Sequence, residues 1–179
     1  MNILEEQILE SWRAHNRMVI FMIENIPEDA MDVTLSKRGG RGVAGQLGHL
    51  HTVRVWHLEA HNRKLSRGLV KFTAKKVPTR GALIQAFVKS GEAIENHLRE
   101  RIARAGEMVS FKRNAVTALV YFVAHESHHR GNIILTMKQS GIRIPEALKW
   151  GIWDWNKFSD MNYAERQVRR RTLASHSGK

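Results

Sequence analysis

Apolar residues recur every three or four positions along four long stretches, and no stretch alternates apolar with polar residues as a half-buried strand would. Over residues 3–25 the repeating positions are Ile3, Leu4, Ile8, Trp12, Met18, Val19, Met22 and Ile23, with Ile26 just beyond, and Pro27 stops the helix. A loop then runs through Ser36 to Gly39-Gly40-Arg41-Gly42. The second helix starts at Val43 and reaches about Leu65, with Leu47, Leu50, Val53, Trp56 and Ala60 on its apolar face. Residues 66–78 are basic and aperiodic and form a second loop, after which Thr79 is placed to cap a third helix over about 80–105. Leu83, Ile84, Phe87, Val88, Ile94, Leu98 and Ile102 are its expected inward positions, and Gly106 its end. A short link at 108–113 leads to a fourth helix from Asn114 to about Gln139, the most apolar and so the one expected to be most buried, ended by Gly141 and Pro145.

Four such helices predict an all-α fold, a four-helix bundle occupying residues 1–158. The segment Trp150-Gly151-Ile152-Trp153-Asp154-Trp155 is too short for a fifth bundle helix. Its tryptophans are candidates to cover a site or a dimer face, with core packing the expected outcome. A chain of 179 residues supports one domain with a real core. No run nears the roughly 18 consecutive apolar residues of a membrane span, so no membrane association is expected. The acidic start Met1-Asn2-Ile3-Leu4-Glu5-Glu6 lacks the features of a secretion signal, which predicts a cytoplasmic protein.

Net charge is +12, concentrated in residues 37–41, in residues 64–76 and in a basic tail at 159–179 that is expected to be flexible. Loops and tail carry the excess, so it reads first as solvated surface. With no nucleic-acid-binding motif in the chain, contact with nucleic acid should be weak, non-specific and salt-sensitive. Cysteine is absent, which removes thiolate nucleophiles and thiolate ligands and leaves His, Asp or Glu to hold any metal.

Ten histidines are present, three of them in His125-Glu126-Ser127-His128-His129. Four residues apart on a helix, His125 and His129 stack on one face and can share an ion, whereas His128 lies about 100° away from His129. The second helix offers His49, His51, His57 and His61. His49 shares a face with Val53, Trp56 and Ala60 and is the preferred third ligand. His51 points off that face and is expected to be solvated, while His57 and His61 remain a competing pair. Three imidazoles suit zinc, nickel, cobalt or iron(II), with an open position for chemistry.

The segments Gln46-Leu47-Gly48-His49-Leu50 and His125-Glu126-Ser127-His128-His129-Arg130-Gly131-Asn132-Ile133 resemble the single-histidine and H-x-x-x-H-R-G-x-I segments of the DinB/YfiT-like family, in the same order and separation. The resemblance spans residues 1 to about 155. It implies an up-down-down-up bundle, one zinc or nickel ion on His49, His125 and His129, and homodimers. It also implies a small-molecule substrate and, in members of assigned activity, transferases or isomerases using a low-molecular-weight thiol. Asn132 replaces the common Gln of that motif, and Gly45 a common tryptophan or polar residue. Around the ligands, Glu126 and Tyr121 are candidate catalytic residues, and Arg130 and Asn132 candidate cofactor-binding ones. Glu126 is otherwise expected on the helix surface, solvated or paired with Arg130. A rival is the zinc-peptidase motif H-E-x-x-H with Glu126 as general base, although its expected downstream ligands are missing.

Overall fold

The computed structural model describes residues 3–37, 40–73, 77–104, 107–108 and 113–161. Four long helices dominate: α1 (Ile3–Asn25), α2 (Val43–His61), α3 (Arg80–Ala103) and α4 (Ala115–Gln139). A short α5 (Glu146–Lys149) and two 3-10 turns, Gly151–Trp153 and Trp155–Phe158, pack back on α1. Within the link before α4, β1 (Glu107–Met108) pairs antiparallel with β2 (Arg113–Asn114), a ladder too short to leave an alternating pattern. Gly106, expected to close α3, and residues 162–179 of the basic tail lie outside the described residues.

Local chemistry sets the helix ends. Thr79 accepts a hydrogen bond from the Ala82 amide as expected, and Asn114 caps α4 by accepting from the Thr117 amide. α2 begins without a side-chain cap, because its first amides, Val43 and Ala44, donate instead to the carbonyls of Val33 and Met31. Gly42 permits this closure, since a Cβ there would sit 2.8 Å from the Val33 carbonyl oxygen. α2 ends at His61, four residues short of the expected end, with Asn62 taking over the last turn.

The core divides into two apolar clusters. One gathers Met18, Met22, Ile23, Leu47, Phe87 and Ile133; the other gathers Leu9, Trp12, Leu58, Ile94, Leu98 and Phe122. Between them each long helix contributes polar residues that are buried: His15 and Asn16 from α1, Arg54 from α2, Ser90 from α3 and Glu126 from α4, Asn16 only partly. Arg54 donates to both oxygens of Glu126 at 2.6 and 2.7 Å and to Asn16 Oδ1 at 2.6 Å, and His15 meets Glu126 at 2.9 Å. Burial favours the neutral acid, but the guanidinium and the His15 bond outweigh it and hold Glu126 well below the usual carboxylate range.

This layer changes which helix is most enclosed. Twelve residues of α2 are buried against eight of the longer α4, so α2, not α4, is the more buried helix. Its core face carries Leu47, Leu50, His51, Arg54, Val55 and Leu58, whereas Trp56 and Ala60, expected inside, are exposed. Periodicity misplaced the face because two strongly polar residues lie in the middle of the true one. Val88 of α3 likewise faces outward. The tryptophans at 150, 153 and 155 are 70%, 63% and 41% exposed rather than packed in the core.

Candidate metal centre

α2 and α4 bring three imidazoles together. The ring centroids of His49 and His125 are 5.6 Å apart, those of His49 and His129 5.1 Å, and those of His125 and His129 4.9 Å. Each offers a ring nitrogen such that all three lie within 4.8 Å of one another, the only such cluster among the described residues. Zinc–imidazole bonds of about 2.0–2.1 Å place tetrahedral ligand atoms roughly 3.3 Å apart, so small side-chain rotations close the set. All three are half-buried.

The donors are ready for a cation. Burial lowers the pKa of His49, with the charges of Arg41 and His125 adding to it. Burial likewise lowers His125, and it takes His129 down to about 4 with the help of its histidine neighbours. A neutral imidazole has a free lone pair at neutral pH, the form a metal requires. His129 Nδ1 donates to Gln46 Oε1 at 3.2 Å, which leaves Nε2 unprotonated and aims the ring. The donor set and its supporting bond therefore fit a divalent transition metal.

The remaining expected site residues separate. Tyr121 stacks on His125 with centroids 5.8 Å apart and planes 6° from parallel, at the edge of the centre. Asn132 reaches His128 at 3.0 Å and not a ligand imidazole. Arg130 points toward α1, donating to Met18 Sδ at 3.4 Å with Trp153 under its guanidinium. Glu126 is 2% exposed and bonded to Arg54 and His15, not solvated and not paired with Arg130. Both its oxygens serve the core, so the H-E-x-x-H arrangement lacks a carboxylate facing the ligands. His51 is 1% exposed rather than solvated; its Nε2 donates to the Val70 carbonyl and its Nδ1 accepts from Ser90. His57 and His61, with centroids 6.2 Å apart, stand on the rim beside Tyr121.

Gln46 was not singled out from sequence, although its place three residues before His49 puts both on one helix face. Two cavities meet at His49 and Trp56. One of about 390 Å3 lies between α2 and α4, lined by His57, Tyr121 and His125. A larger one of about 670 Å3 opens on the other side, walled by the loops before α2 and before α3.

A helical bundle with three histidines converging beside two clefts defines the class: an all-helical protein whose histidines are positioned so that they could hold a metal ion. The chain matches the family model of the DinB family over residues 1–150, and it belongs to that family. No match was found among curated proteins or among solved structures.

Proposed function

We propose that this chain is a metal-dependent enzyme that activates water or a low-molecular-weight thiol and directs it at a small electrophilic molecule. The observation that carries the reading is the convergence of three imidazoles beside two cavities. A divalent ion there, zinc or nickel, would supply Lewis acidity, drawing the pKa of a water or thiol at its open position toward neutrality. The chain's own residues do the rest. His49, His125 and His129 would hold the ion as neutral donors; Gln46 fixes the His129 tautomer; Tyr121, flat on His125, lines the groove where a reactant would sit. Without cysteine, a thiol reaction needs an external thiol cofactor.

The same reading includes a cytoplasmic location and a homodimer, for which the exposed Trp150, Trp153 and Trp155 offer a surface. An up-down-down-up order is supported by the sequence in which the helices visit the two clusters: α1 and α4 pass from the Trp12 cluster to the Met18 cluster, α2 and α3 the reverse.

The test is a screen with glutathione, mycothiol and bacillithiol against common electrophiles, run beside ester, amide and peptide hydrolysis, with metal content measured on the same samples. Turnover that disappears together with the metal in His49→Ala, His125→Ala and His129→Ala supports the proposal. Full metal retention in all three variants overturns the centre, and inactivity at full occupancy overturns the enzyme.

A further inference from the structure

The larger cavity has a composition that neither the triad nor the fold requires. Its body is apolar: Trp56 and Phe72 face it, and Gly45 and Gly48 keep the α2 wall flat. Gly48 lets the loop close, since a Cβ there would come within 3.2 Å of Phe72 and 3.3 Å of Pro78. At about 670 Å3 the space falls within the range of small-molecule sites. Arg41 lines it next to His49, and no hydrogen bond or ion pair engages its guanidinium among the described residues. The Arg41 charge is felt at both His49 and His129, where it helps hold the imidazoles neutral. The first amides of α2 are spent on Val33 and Met31, so the guanidinium, not the helix end, is the anion-seeking group here.

We infer that this cavity binds a small molecule with an apolar body and a carboxylate or similar anionic group, the anion held by Arg41 and the body against Trp56 and Phe72. The inference rests on the proposed function only in making this molecule the substrate presented to the triad. Asp32 also lines the cavity, so a cationic ligand is the competitor to be excluded. A preference of about two- to tenfold corresponds to about 0.4–1.4 kcal/mol, the range of a guanidinium–carboxylate contact from exposed to partly desolvated.

The experiment measures, by calorimetry, the binding of 4-phenylbutyrate, 4-phenylbutanamide and 4-phenylbutylamine to zinc-loaded and to chelator-treated protein. The chelated arm removes direct carboxylate–metal contact. In it the carboxylate should bind about two- to tenfold more tightly than the amide and more tightly than the amine, Arg41→Gln should reduce the carboxylate-to-amide ratio to about one, and Gly45→Leu should abolish binding of all three by filling the cavity. An added Cβ at Gly45 meets only the Arg41 side chain, Cβ at 3.4 Å and Cγ at 3.8 Å, so that variant should fold. Equal binding of carboxylate and amide, preference for the amine, or a preference that survives Arg41→Gln overturns the inference. Preference without any turnover would sink the proposed enzyme and leave this site standing, whereas turnover without preference would do the opposite.

Discussion

α2 and α4 build two polar clusters on different faces, and they solve opposite problems. On one face His49, His125 and His129 are half-buried and neutral, with open space beside them. On the other, Arg54 and Glu126 are fully buried, charged and hydrogen-bonded to each other, with His15 on the same carboxylate. His125 and Glu126 are neighbours in sequence yet belong to different clusters, because one residue turns a helix by about 100°. The first cluster gathers donors that could take up an ion, whereas in the second each charge has its counter-charge within the chain. A motif that contains both residues, such as H-E-x-x-H, therefore joins two unrelated functions in one string of letters.

The sharpest way to break the comparison is Glu126→Ala, which strands the Arg54 charge in the core. A loss of about 3–5 kcal/mol in denaturant unfolding is expected, against about 1 kcal/mol or less for His125→Ala measured in chelator. The double variant Arg54→Met with Glu126→Leu should recover most of that loss, since no charge is left unpaired. If Glu126→Ala were no worse than His125→Ala, the buried pair would not be what joins these helices.

Acid should act next. His51 and His97 are buried and pushed down to about 4, burial being the main cause for each. An unfolded histidine titrates near 6.5, so between about 6.5 and 4 the unfolded chain binds more protons and stability falls as pH falls, by up to roughly 3 kcal/mol for each residue. Glu126 is held down in pKa as well, with the same outcome. Its depressed value gives stability present above the ordinary carboxylate pKa and lost as pH drops below it. Unfolding free energy followed from pH 7 to 4 should decline with a slope that lessens in His51→Gln, and a flat profile would contradict this.

Smaller effects sharpen the metal side. Gln46→Leu removes the acceptor that orients His129 and should weaken metal binding by about 10- to 100-fold with little change in stability in chelator, as competition with a chromophoric chelator would report. His128→Ala should leave stoichiometry intact, because its described hydrogen bond is to Asn132. His51→Ala is not an equivalent control, since it removes a side chain that binds Ser90 and Val70 inside the molecule.

Much of this was readable from apolar spacing. The starts of α1, α2 and α3 fall where the pattern puts them, α4 begins one residue later, and the pair His125 and His129 follows from a separation of four. Spacing fails where a helix has two useful faces. On α2 the groove face of Val53, Trp56 and Ala60 resembled the core face, while His51 looked like surface and Arg54 was not singled out, because their partners lie on other elements, dozens of residues away for Ser90 and Glu126. The cavity wall was invisible for a similar reason: the loop that forms it has no period, and only its bonds to α2 give it a shape.

Those bonds have a property of their own. His51 holds the loop by the Val70 carbonyl, and Thr52 holds it by the amide and carbonyl of Phe72. Each anchor grips main chain, and main chain is the same whatever residue stands there. Side chains on this stretch can therefore be exchanged over generations while the wall stays where it is and the histidines opposite remain undisturbed. The chemistry of this wall can thus change without moving the three histidines opposite it.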